Sequence, residues 1–147
     1  MITPTRTLAA VAAGALLLAG CADDDTAAAS TEHSVTGTDE LEFVPDSLVV
    51  PAGEEIVLEL TSEGSVEHDL VVAGAAGAGE AGDEGHGDHG DEDGHAEEGD
   101  LHVAHAAAGA TSTATFVIDE PGDYEFYCGV AGHREAGMTG TLVVTDD

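Results

Sequence analysis

The stretch YCGVAGHREAGM, Tyr127 to Met138, puts a thiol, an imidazole and a thioether on one short glycine-rich segment. Four residues separate Cys128 from His133, and four more separate His133 from Met138. Apolar residues do not recur there at helical spacing, so the three donors sit on a loop. A fourth candidate, His68, opens the apolar run HDLVV. Thiolate and thioether suit Cu(I), and imidazole suits both oxidation states. Two histidines, one cysteine and one weak methionine are therefore a donor set for a copper ion that changes valence. Zinc more often takes further thiolates or imidazoles and leaves methionine out. Taken singly the residues are bland: His68 reads as a core histidine and Met138 as packing. Their joint occurrence with Cys128 carries the metal reading.

Such donors need a rigid frame, and from residue 33 onward the chain reads as short strands with turn punctuation. The segment LEFVPDSLVVPAGEEIVLELTSEG gives strands near 40–44, 47–50 and 55–62, broken at Pro45, Pro51 and Gly53. HDLVVAG gives another at 68–73, LHVAHA a weaker one, and STATFVI, DYEFYC and TGTLVVT complete the set. Ile56, Leu58 and Leu60 face one side while Glu55 and Glu59 face the other. Seven or eight short strands over about 115 residues, with no amphipathic helix, predict an all-β fold, a Greek-key antiparallel β-sandwich. In DYEFYC, Tyr124, Phe126 and Cys128 share parity, which turns the thiol inward at the strand's end. Tyr127 has the opposite parity and is expected to face outward. The Tyr124 hydroxyl is expected to bond backbone at a strand corner, and Arg134 to pair with Glu135. Strands distant in sequence end at the same pole of a sandwich, so His68 can meet the Cys128 loop.

With these residues in view, positions 40–145 resemble a cupredoxin of the plastocyanin/azurin type. Phe43, Pro45 and VPAGE are similar to that family's opening hairpin, HDLVV to its first-histidine strand, and PGDYEFYC followed by GHREAGM to its ligand loop. The resemblance implies one type 1 copper per chain, held by His68, Cys128 and His133 with Met138 axial. It further implies single-electron exchange with redox protein partners, no catalysis, and an electron path near Tyr127. Two features depart from the family pattern. Asp69 follows the first histidine where asparagine is usual, and the Cys-to-His spacing exceeds that of plastocyanin and resembles azurin, rusticyanin and auracyanin. Two alternatives stay open. One is a subunit of an enzyme resembling copper nitrite reductases or multicopper oxidases, which would draw a second copper site from the LHVAH pair. The other is metal capture by the histidine-rich segment described next.

Residues 74–100 are low-complexity Gly, Ala, Asp, Glu and His, too polar to bury a core, and are expected to form a disordered insert between strands. His86, His89 and His95 lie within it and His102 and His105 just beyond. Imidazoles among carboxylates can bind Zn(II) or Cu(II) weakly, and a solvated loop that binds nothing is the competing expectation. Across the chain 31 acidic residues face only Arg6 and Arg134, with no lysine. That balance repels nucleic acid and anionic headgroups, and fits a monomer in a salty medium where screening limits self-repulsion.

Residues 1–20 read as a lipoprotein signal peptide. Arg6 precedes a short apolar run that ends in LAGC, Leu18 to Cys21, similar to a bacterial lipobox. Cleavage before Cys21 and lipidation of its sulfur would leave residues 21–32 as an acidic tether with a reach of roughly 20 Å. The domain at 33–147 would then be extracytoplasmic, with membrane contact only through the lipid. Cys128 would be left as an unpaired exported thiol, a liability unless metal holds it. Cys21→Ala is expected to abolish lipid labelling and membrane fractionation while leaving the copper spectrum unchanged. A variant that still fractionates with membranes contradicts the anchor.

Overall fold

In a computed structural model the described residues are 28–76, 78–82 and 96–146. Among them are ten strands: β1 (Glu32–Gly37), β2 (Phe43–Val44), β3 (Ser47–Pro51), β4 (Ile56–Ser62), β5 (His68–Val72), β6 (Gly79–Gly82), β7 (Leu101–Ala106), β8 (Thr111–Ile118), β9 (Gly122–Tyr127) and β10 (Thr139–Thr145). They form two five-stranded sheets, β2-β1-β4-β8-β6 and β3-β10-β9-β5-β7. From β4 to β9 each connection crosses to the other sheet. No helix of the described residues is long and apolar enough to cross a membrane.

The alternation expected in β4 is observed: Ile56, Leu58 and Leu60 are fully buried while Glu59 is exposed. They pack with Val35, Phe43, Leu70, Phe116, Phe126 and Leu142 between the sheets. Within this core the Phe43 and Phe126 rings meet at 5.2 Å with a tilt of 57°. Such tilted contacts set positive ring edges against negative faces.

Four features differ from the sequence-based expectation. The chain is already in register at Glu32, where β1 lies parallel to β4. Residue 32 therefore belongs to the sandwich rather than to a tether. EHSVTG offers only Val35 as a large apolar side chain, too little alternation to reveal a strand. The strand expected at 40–44 contracts to Phe43–Val44, because Leu41, with φ at 62°, occupies a turn closed by Thr38 N–H donating to Glu42 O at 3.0 Å. The sheets are not purely antiparallel, since β3 also runs parallel to β10. The insert is shorter than 74–100: β6 pairs antiparallel with β8, and Ala76 N–H donates to Gly99 O at 3.0 Å. Residues 83–95, with His86, His89 and His95, lie outside the described residues, as does Cys21.

The weaker candidate LHVAHA is a full strand, and an irregular one. Its pairing with β5 shifts register between Leu70 and Val71. The shift breaks the alternation, so Leu101, Val103, Ala104 and Ala106 are buried while His102 and His105, three residues apart, are both exposed. A bulge turns successive side chains in this way.

The first sheet also fits closely against the second at His68. A Cβ added at Gly37 on β1 would lie 2.6 Å from His68 Cδ2 and 2.7 Å from its Cγ, so glycine is the residue that leaves room for the imidazole. Gly37→Ala is expected to destabilise the copper-free protein by about 1–3 kcal/mol, the usual cost of overpacking a filled core. Chemical denaturation measures this directly, and an unchanged midpoint contradicts the packing.

Candidate metal centre

His68 is the first residue of β5, a strand buried throughout. Cys128 directly follows β9, where Phe126 and Cys128 are both fully buried and Tyr124 is half-buried, as their shared parity requires. The loop from Gly129 to Gly137 then closes on itself. His133 N–H donates to Val130 O at 3.0 Å, Ala136 N–H to Gly132 O at 3.1 Å, and Met138 N–H to His133 O at 3.0 Å. Cys128 N–H donates to Met138 O at 3.1 Å, which pins the end of the loop beside its beginning. Gly132 and Gly137 take φ of 86° and 104°, a region that L side chains rarely adopt.

These constraints bring the expected donors together. Nδ1 of His133 lies 3.3 Å from Cys128 Sγ, and Nδ1 of His68 lies 3.9 Å from it. One ligand atom from each of the three residues falls within 4.8 Å of the others, close enough for a single ion at ordinary bond lengths of about 2.0–2.3 Å. The two imidazole rings are 5.4 Å apart and tilted by 55°. Met138, next in the chain after the loop, is fully buried. Two imidazoles and a thiol that converge, with the buried thioether-bearing Met138 at the end of the same loop, are a donor set that fits copper.

The electrostatics agree with the geometry. Burial, with a smaller contribution from His133, pushes the His68 imidazole below its ordinary value and favours the neutral ring that a metal needs. Burial pushes the Cys128 thiol up, against the lowering effect of backbone N–H groups from Asp69 and Val130. A metal entering the site must therefore displace the thiol proton. Asp69 N–H donates to Cys128 Sγ at 3.4 Å. The Asp69 side chain turns the other way, its Oδ1 accepting from His105 Nδ1 at 2.6 Å.

Two surface expectations need correction. Tyr127 does not face solvent; it is 2% exposed. The Arg134 guanidinium stacks 3.9 Å over its ring, its Oη donates to Asp100 Oδ2 at 2.6 Å, and Glu97 N–H donates to the same Oη at 3.4 Å. Burial and the Asp100 contact push the phenol up to about 12. Strand parity missed this because the cover comes from residues 97–100, on the far side of the low-complexity segment. Arg134 pairs with Glu125 at 2.7 Å and Glu97 at 3.4 Å rather than with Glu135. The Tyr124 hydroxyl does bond backbone, donating to Glu120 O at 2.9 Å. His102 and His105 stand on β7 beside Asp69, apart from the Cys128 cluster.

The chain is similar to known proteins. The model of the family described as copper binding proteins, plastocyanin/azurin family, matches residues 29–145. The copper-resistant cuproprotein CopI of Rubrivivax gelatinosus is 31% identical over 120 residues, which cover 82% of this chain and 70% of that one. Among solved structures, a dithionite-reduced auracyanin of Roseiflexus castenholzii superposes with a TM-score of 0.57 at 22% identity, covering 80% of this chain and 99% of that one. Auracyanin B superposes with a TM-score of 0.56 at 25% identity, covering 78% and 88% of the two chains. Auracyanin A of Chloroflexus aurantiacus, a blue copper protein, gives 0.55 at 22% identity, covering 78% and 98%. A sandwich that aims His68, Cys128 and His133 at one point beside a buried methionine, with the family match spanning almost all of it, places this chain in the plastocyanin/azurin family of copper-binding proteins, with copper as its cofactor.

Proposed function

We propose that the protein carries single electrons between extracytoplasmic redox proteins through one type 1 copper, tethered to the membrane by a lipid on Cys21. The observation that carries this reading is the unequal exposure of the donors. His68, Cys128 and Met138 are fully buried, while the ring of His133 is only partly covered. Bound among them, copper supplies a one-electron couple between Cu(I) and Cu(II). The chain's own residues do the rest. The closed loop from Cys128 to Met138 and the packed start of β5 hold the donors in one arrangement, which limits rearrangement when charge changes. With copper held by His68, Cys128 and His133 and with Met138 as a weak fourth donor, little room would be left for a substrate on the ion, which argues against catalysis there. His133 offers the edge through which an electron can leave for a partner docked on the loop.

A second reading is copper handling under copper stress. It is favoured by the 31% identity to a relative described as a copper-resistant cuproprotein. The two readings separate in a strain lacking the protein: an electron carrier's loss slows a respiratory or photosynthetic chain at low copper, whereas a tolerance factor's loss shows only at high copper.

Two substitutions test the centre. Cu(II)-loaded protein is expected to be intensely blue or green, from charge transfer out of the Cys128 thiolate. Cys128→Ser is expected to remove that colour, and a serine variant that keeps it overturns the assignment. Met138→Leu is expected to keep the colour and raise the reduction potential, because losing a weak donor disfavours Cu(II). Protein-film voltammetry reads that shift, and a lowered potential contradicts the axial role.

A further inference from the structure

The chain has no lysine and only two arginines, Arg6 and Arg134. On so acidic a surface a guanidinium could find a carboxylate almost anywhere. Arg134 instead sits 3.9 Å over the Tyr127 ring. Its Nε and Nη2 donate to one oxygen of Glu125 at 3.1 Å and 2.7 Å, and its Nη1 donates to Glu97 Oε2 at 3.4 Å. The side chain is 33% exposed, so most of it is spent on these contacts rather than on water.

The ring beneath the guanidinium is itself fixed. Tyr127 is buried, its hydroxyl donates to Asp100 Oδ2 at 2.6 Å, and Asp100 Oδ1 accepts from Gly74 N–H at 2.7 Å. A buried tyrosine that is also bonded at its hydroxyl has little freedom to move. Sequence position gives the stack its leverage. Tyr127 directly precedes the donor Cys128, and Arg134 directly follows the donor His133. The stack therefore spans the same gap that His133 Nδ1 and Cys128 Sγ close at 3.3 Å. Backbone bonds such as Ala136 N–H to Gly132 O and Gly137 N–H to Arg134 O run within the loop. The Arg134 side chain instead runs from the loop to β9 through Glu125 and to the segment at 97–100 through Glu97.

We propose that Arg134 is a positioning residue of the metal centre: its guanidinium, braced between the Tyr127 ring, Glu125 and Glu97, holds His133 against Cys128 at the edge of the centre that is not buried. The brace follows from geometry alone, and its effect on copper retention rests on the copper reading. Of the four donors His133 is the one only partly covered, while His68, Cys128 and Met138 are buried. An ion leaves, or a reagent reaches the thiol, by moving His133 aside. Lysine could not replace Arg134 here, because an ammonium has neither a planar face for the ring nor a rigid fork of donors.

The test compares Arg134→Ala, which removes the brace, with Arg134→Lys, which keeps the positive charge but not the stack or the fork. In the copper-free full chain, alkylation of Cys128 by iodoacetamide, read from the mass of the modified peptide, reports how often the loop opens. Both variants are expected to react on the order of tenfold faster than the unmodified protein, the factor that a stack and a partly exposed ion pair carry together. The extra reactivity is expected to be insensitive to low urea, because opening one loop exposes little surface, whereas unfolding the sandwich exposes much. In copper-loaded protein, loss of the visible band to excess chelator is expected to quicken by a similar factor in both variants. Unchanged rates in Arg134→Ala overturn the brace. Full restoration by lysine also overturns it, since charge alone would then suffice, as does extra reactivity that climbs with urea in step with global unfolding. If the unmodified protein shows no intense band with copper, the copper reading fails instead, and alkylation of the copper-free chain still decides whether the brace exists.

Discussion

The structure turns on one demand: a thiol and two imidazoles must meet in a largely buried place, although one of them comes from 60 residues away in the chain. The contact between His68 Nδ1 and Cys128 Sγ at 3.9 Å joins β5 to the end of β9. Everything nearby serves to hold it. Phe126 and Leu70, two residues along β9 and β5 from Cys128 and His68, are buried in the core, Gly37 on the opposite sheet leaves room for the imidazole, and Asp69 N–H ties the sulfur to β5. A β-sandwich meets the demand well because its strand ends are fixed by two packed layers rather than by the loop itself.

The loop can then be short and internally bonded. The carbonyls of Val130, Gly132, His133 and Arg134 accept from N–H groups within the loop or directly after it, so few of its backbone groups need outside partners. Under the proposed electron-carrier role its rigidity would have a chemical use, since donors held in place would keep the reorganisation cost of electron exchange low. Around its rim the protein spends its one described cation. Arg134 covers Tyr127 and binds Glu97 and Glu125, closing the segment at 97–100 onto β9 beside the ligand loop. The returning arm of the insert is thus fastened close to the centre.

Much of this was legible from residue types. The parity of Tyr124, Phe126 and Cys128 put the thiol inside, and the position of His68 before an apolar run put it at the start of a buried strand. The donor mixture selected copper over zinc on chemistry alone. What escaped was whatever depended on partners far away in sequence. EHSVTG has too few apolar residues to announce a strand, and only its parallel partner β4 makes it one. Tyr127 has an outward parity, yet it is buried by residues 97–100. The bulge that sets His102 and His105 on one side of β7 lies in the register with β5, which no local pattern encodes. The Asp69–His105 bond followed from that register and could not be read without it.

The central claim is that Cys128 sulfur and the two imidazoles share one copper ion in a site buried except at the His133 edge. Electron spin resonance of the Cu(II)-loaded protein tests it most directly. Strong sharing of the unpaired electron with the Cys128 sulfur predicts an unusually narrow parallel copper hyperfine splitting, with one equivalent of copper per chain. A wide splitting, of the kind given by copper held only through nitrogen and oxygen, would contradict the account.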